Sequence, residues 1–162
     1  MLMNKEQVMQ FLPHREPFLF IDSIESVLYP GRDLKEGEII TAKETIGSEV
    51  IAHYRTKEDH PIFAGHFPGN PVLPGVVQVE MMAQASAFGL IKTVEDPAKS
   101  NMEVALISVS EAKFRKPIGP GMDLLIKSKC IKCRGPFATY ECQLYNGDTL
   151  MSEAIAMATV KL

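Results

Sequence analysis

Apolar residues fall into short extended runs over most of the chain and into one dense block near its middle, and the two patterns predict different elements. The block runs from Val76 to Ile91, with Ala, Met and Gln favouring helix. It is apolar on every face, which marks a helix buried all round rather than one lying on a surface. Asn4 to Leu12 reads as a short helix capped by Asn4 and closed by Pro13. Phe18 to Leu28 reads as a strand ending at Tyr29-Pro30-Gly31, and Glu36 to Ile46, rich in Ile and Thr, as a second. Gly47 to Pro61 is polar and carries no clear period, although part of it can pair as a strand.

Four more strands are expected at Val104 to Phe114, Asp123 to Cys133, Phe137 to Tyr145 and Thr149 to Val160. Arg134-Gly135-Pro136 and Asn146-Gly147-Asp148 have hairpin chemistry, and connections so short force antiparallel neighbours. About six antiparallel strands and one central helix make an α+β protein whose curled sheet wraps its helix.

The 162 residues amount to one domain. A hydrophobic content of 46% excludes a disordered chain, and a net charge of −3 argues against a basic nucleic-acid-binding domain. Neither a cationic leader nor an uninterrupted apolar span is present, so a cytoplasmic protein is expected. Three cysteines, an odd number, fit a reducing compartment. Cys130 and Cys133 have the spacing of a redox or zinc pair. On a strand, however, residues three apart point to opposite faces, and no second ligand pair follows.

Candidate chemistry concentrates where charge disappears. Between Asp59 and Lys92 the only Asp, Glu, Lys or Arg is Glu80, inside the buried helix. A carboxylate there must be hydrogen-bonded, protonated or both, and Gln84, one turn later on the same face, can supply an amide. Burial is expected to raise its pKa, which would suit a general acid. A structural glutamate reaching a cation on another subunit is the alternative.

Upstream, Pro61, Pro68, Pro71 and Pro74 with Gly65, Gly69 and Gly75 make a restrained loop that carries His66 to the helix start. Free N–H groups there can stabilise an oxyanion. A base, an acid and an oxyanion donor are what removal of water from a 3-hydroxyacyl thioester requires, although other acid–base chemistry needs the same parts. His53 and His60 could join His66 in a metal site, but no carboxylate or Cys spacing supports one.

The stretch Gly65-His66-Phe67-Pro68-Gly69-Asn70-Pro71-Val72-Leu73-Pro74-Gly75-Val76, continued to Glu80 and Ala83-Gln84, closely resembles the 3-hydroxyacyl-[acyl-carrier-protein] dehydratases of type II fatty-acid synthesis, of the FabZ type. Leu12-Pro13-His14-Arg15-Glu16-Pro17-Phe18-Leu19-Phe20-Ile21-Asp22 looks like that family's N-terminal signature, and Lys113-Phe114-Arg115-Lys116-Pro117-Ile118-Gly119-Pro120-Gly121 like its later strand and corner.

The resemblance implies a hotdog fold and homodimers, often assembled as trimers of dimers. It places the active site at the dimer interface, with the His of one subunit facing the Glu of the other. It carries over His66 and Glu80 as catalytic residues, Gly75 as amide donor to the thioester carbonyl and Gln84 as the group orienting Glu80. No metal or bound cofactor is implied. The partner is an acyl carrier protein bearing a phosphopantetheine-linked chain, received by basic residues among Lys113, Arg115 and Lys116, with Lys132 and Arg134 as further candidates.

The sister isomerising type tends to carry Asp where this chain has Glu80. Val77-Gln78-Val79, Met81 and the long Gly47–Pro61 segment depart from the common pattern. A hotdog acyl-thioester hydrolase and a non-catalytic carrier-binding subunit of a specialised pathway are the competing readings.

Overall fold

A computed structural model describes residues 1–162. Helix α1 (Lys5–Phe11) begins as expected: the Asn4 side chain accepts the Gln7 amide and the Gln7 side chain accepts the Asn4 amide, both at 3.0 Å. The strands are β1 (Ser23–Leu28), β2 (Glu49–Arg55), β3 (Glu103–Phe114), β4 (Asp123–Arg134), β5 (Phe137–Asn146) and β6 (Thr149–Lys161). They form one six-stranded antiparallel sheet in the order β1-β2-β4-β5-β6-β3. Gly135 and Gly147 adopt positive φ in the two tight hairpin turns that align β4, β5 and β6.

A one-turn helix, α2 (Ile62–Gly65), precedes the His66 loop, and the central helix α3 (Gly75–Ser86) follows it. The sheet closes over α3. Met81, Met82 and Ala85 are fully buried in one cluster with Ile126, Cys142 and Leu144 from the strands. Each large side chain removed from water there contributes roughly 1.5–3 kcal/mol.

Three expected elements are corrected by the structure. Glu36–Ile46 is not a strand: it is a loop ending in a 3-10 turn at Ala42–Thr45, where Glu44 accepts the Thr41 amide at 2.8 Å. Its β-branched residues suggested a strand, but the pairing position beside β1 is taken by β2, from within the unassigned Gly47–Pro61 segment. The first strand begins only at Ser23, because the backbone at Phe18 and Phe20 bonds to a side-chain amide instead of a neighbouring strand. The long helix ends its α-geometry at Ser86 and continues as a 3-10 helix to Thr93.

The cysteine pair also departs from expectation. A β-bulge at Ile131 puts Cys130 opposite Tyr140 and Cys133 opposite Ala138. Tyr140 and Ala138 are both buried on the inner face, so the extra residue turns Cys133 to the same side as Cys130. Both thiols are free, and burial pushes both upward in pKa.

Strand β3 lies at the sheet edge with one side unpaired. Of its twelve residues only Val104 is even partly buried, and Leu106, Ile107, Val109 and Phe114 are exposed. A long edge with exposed apolar side chains, bulged at two points, is a template for pairing with another strand.

Candidate active site

The Pro/Gly-rich loop sets His66 beside the first turn of α3. The His66 Nδ1 lies 2.6 Å from the Val72 carbonyl oxygen, which can only accept, so Nδ1 carries the proton and Nε2 keeps a free lone pair. The Phe67 ring stacks on the imidazole at 4.1 Å between centroids and fixes its plane.

His66, Gly75 and Gln78 line an open cavity of about 370 Å³, bordered on its other side by Phe114, Arg115 and Lys116. The Gly75 amide opens the helix and has no hydrogen-bond partner in the chain, as the start of a helix dictates. A Cβ on Gly75 would lie 2.9 Å from the Phe114 ring, so glycine is what allows that ring to lie against the helix start.

Glu80 occupies a different, smaller cavity of about 80 Å³, where Leu12, Leu106 and Ala158 supply apolar walls. Its side chain is 21% exposed. Two groups hold the same oxygen: the Gln84 amide donates to Oε1 at 2.9 Å, and His14 Nε2 lies 3.2 Å from it. Desolvation by burial is the largest single influence on this carboxyl and raises its pKa, but the hydrogen bonding of His14 and Gln84 and the electrostatic attraction of His14 together outweigh it. The net direction is downward, opposite to the sequence expectation. Burial and the Gln84 amide were legible in the apolar block; the His14 donor was not, because it comes from the N-terminal loop.

Gln84 is 2% exposed and uses its whole amide: Oε1 accepts the Phe20 N–H at 2.9 Å, while Nε2 donates to the Phe18 carbonyl at 3.0 Å and to Glu80. A Gln84→Leu substitution strands a buried N–H and frees the Phe18–Phe20 segment. Thermal unfolding should show a loss of about 2–4 kcal/mol.

Of the sequence-predicted residues, the structure brings together His66 with Gly75, and Glu80 with Gln84. His66 and Glu80 do not meet within one chain; no hydrogen bond or ion pair joins them. His53 pairs with Glu25 on the sheet, and His60 bonds to the Pro17 carbonyl, so neither converges on His66. Arg115 and Lys116 line the His66 cavity, Arg115 held by Glu153 at 3.0 Å.

Lys132 and Arg134 belong elsewhere. The register runs from Phe114 through Ser152 and Leu144 to Ile126, whereas Arg134 pairs with Phe137 at the other end of the sheet. Roughly 26 Å of β4 separates Ile126 from Arg134, at about 3.3 Å per residue. His14 is the residue that sequence reasoning passed over, although it stands in the N-terminal signature.

An antiparallel sheet wrapped on one buried helix, with an imidazole loop leading into that helix, defines a hotdog-fold protein. The FabA-like domain family matches residues 12–155. A 3-hydroxyacyl-[acyl-carrier-protein] dehydratase FabZ of Anaplasma marginale (strain Florida) is 36% identical over 159 residues, covering 98% of this chain and 97% of that protein. The corresponding protein of Thiobacillus denitrificans is 33% identical, with 98% of each chain covered.

Among solved structures, the dehydratase heterocomplex ApeI:P from Xenorhabdus doucetiae has a TM-score of 0.65 at 15% identity, covering 96% of this chain and 91% of that one. The fluoroacetyl-CoA thioesterase FlK has a TM-score of 0.59 at 10% identity, covering 72% and 87%. These two share the fold. The chain belongs to the FabA-like family and, within it, to the FabZ-type 3-hydroxyacyl-[acyl-carrier-protein] dehydratases, a family of hydro-lyases.

Proposed function

We propose that this protein dehydrates (3R)-3-hydroxyacyl-[acyl-carrier-protein] to the trans-2-enoyl form in type II fatty-acid synthesis, in the cytoplasm and as a homodimer or trimer of dimers. The observation that carries this reading is the His66 tautomer: a bare Nε2 beside the unpartnered Gly75 amide in one cavity. With the thioester oxygen on the Gly75 N–H, the carbonyl is polarised and the C2 proton is acidified. His66 Nε2 takes that proton. The C3–O bond then breaks, and the departing hydroxyl accepts a proton and leaves as water.

Glu80 delivers that proton through Oε2, the oxygen His14 and Gln84 leave free. Closure by substrate and a second copy removes water and strengthens the desolvation that opposes the downward pull of His14 and Gln84, favouring the protonated acid. The C2–H electron pair becomes the C2=C3 double bond as the C3–O bond breaks, with no change in overall oxidation level, so a base, an acid and an amide donor are the parts this elimination uses.

Within one chain the base and the acid line separate cavities. The exposed, unpaired edge of β3 supports pairing with a second copy, and with it a site in which the His66 of one faces the Glu80 of the other. Arg115 and Lys116 at the cavity mouth suit an acidic carrier and the phosphate of its arm.

Purified protein should convert carrier-bound 3-hydroxyacyl chains to enoyl chains. Release of free thiol instead would favour a thioester hydrolase, and carrier binding without turnover a binding subunit. Lys116→Glu should raise KM for the carrier-bound substrate several-fold while leaving kcat for a short pantetheine thioester unchanged. Equal effects on both substrates would remove Lys116 from docking.

A further inference from the structure

We propose that His14 is a positioning residue for Glu80: with Gln84 it holds Oε1, so that Oε2 alone is presented to the substrate's 3-hydroxyl. The inference rests on the dehydratase reading above and adds a residue to it.

His14 Nε2 is 3.2 Å from Glu80 Oε1, and its other ring nitrogen, Nδ1, is buried without any hydrogen-bond partner. That orphan decides the tautomer. A proton on Nδ1 would be a buried donor with nothing to accept it, at a cost of about 1–3 kcal/mol, whereas a bare lone pair there is cheaper. The ring proton therefore sits on Nε2, the nitrogen that lies 3.2 Å from the Glu80 carboxylate.

Two donors from different parts of the chain, one on the N-terminal loop and one on α3, converge on a single oxygen. Contacts to one oxygen only favour the orientation in which that oxygen stays with them and the other faces outward. Oε2 makes no hydrogen bond within the chain, which leaves it free for the reacting group.

No other titratable side chain lines this cavity; the remaining walls are Leu12, Ala83, Ala87, Val104, Leu106 and Ala158. The nearest cation in sequence, Arg15, turns back onto the carbonyls of Leu12 and His14 at 2.8 and 2.7 Å. In the dimer proposed above, the cavity of the second copy that faces Glu80 brings His66 together with Arg115 and Lys116 of its lining. Both Glu80 donors lower its carboxyl, so loss of one moves it upward.

The test compares His14→Met, which fills the space without a donor, with His14→Gln, which places an amide N–H near the original Nε2. Both are assayed on a 3-hydroxyacyl thioester across pH. His14→Met should lower kcat about 10- to 100-fold with KM little changed, as expected when a reacting group is misplaced. The limb of the kcat/KM profile that reports Glu80 should move to higher pH. His14→Gln should recover kcat to within about threefold of wild type.

In a Glu80→Gln background, His14→Met should have no further effect. A folded His14→Met protein with wild-type kcat and an unmoved profile overturns the inference, as does His14→Gln no better than His14→Met. Should His14→Met not fold, His14→Gln against wild type decides: a kcat loss beyond about tenfold counts against the role. A fully active Glu80→Gln protein would instead overturn the dehydratase mechanism itself, so the two failures are told apart.

Discussion

His66→Ala and Glu80→Gln are each expected to lose activity by about a thousandfold or more, yet a mixture of the two, unfolded and refolded together, should recover about a quarter of the wild-type sites. The arithmetic follows from a site shared between copies. In a mixed dimer, one site combines both substitutions and is dead, while the other combines the intact His66 of one copy with the intact Glu80 of the other. Half of randomly formed dimers are mixed.

The expectation stems from the separation of the two residues into different cavities of one chain, with no bond between them. Enoyl formation by the refolded mixture, set beside each variant refolded alone, measures it. No recovery, with mixed dimers demonstrated by differential tags, would place the site within a single copy.

Charging the exposed edge should have an effect of similar size through a different route. Ile107→Lys combined with Val109→Lys places like charges on both copies of β3, where the wild-type residues are 48% and 40% exposed. Neither belongs to the buried cluster, so the fold should survive with an unchanged circular dichroism spectrum. Sedimentation should shift from dimer to monomer, and turnover should fall by at least about a hundredfold because base and acid no longer share a site. A monomer that keeps wild-type turnover would sink the shared-site account, and a dimer that keeps it would move the interface off β3.

Much of this protein was open to reading from local pattern. The four C-terminal strands, their hairpin turns and the buried helix announce themselves because alternation, Gly-containing turns and an all-round apolar block act over a few residues. Glu80 stood out as the lone charge in that block, and His66 and Gly75 by their place on a restrained loop. The Glu36–Ile46 segment misled for the same reason: Ile and Thr content speaks of strands locally, but which segment pairs beside β1 is settled by the whole sheet, and β2 took the place.

What only the folded chain decided are the long-range partners. Gln84 bonds to the backbone at Phe18 and Phe20, more than sixty positions away. His14 reaches Glu80 from the N-terminal loop and helps reverse the direction in which burial alone would push that carboxyl. One extra residue at Ile131 turns Cys133 to the same side as Cys130, where strict alternation predicted opposite faces. Residue types and spacing thus determined the secondary structure and the candidate acid and base, because those depend on neighbours in the chain. Protonation, orientation and the division of the site into two cavities depend on groups brought together by the sheet closing on α3, and no local pattern encodes them.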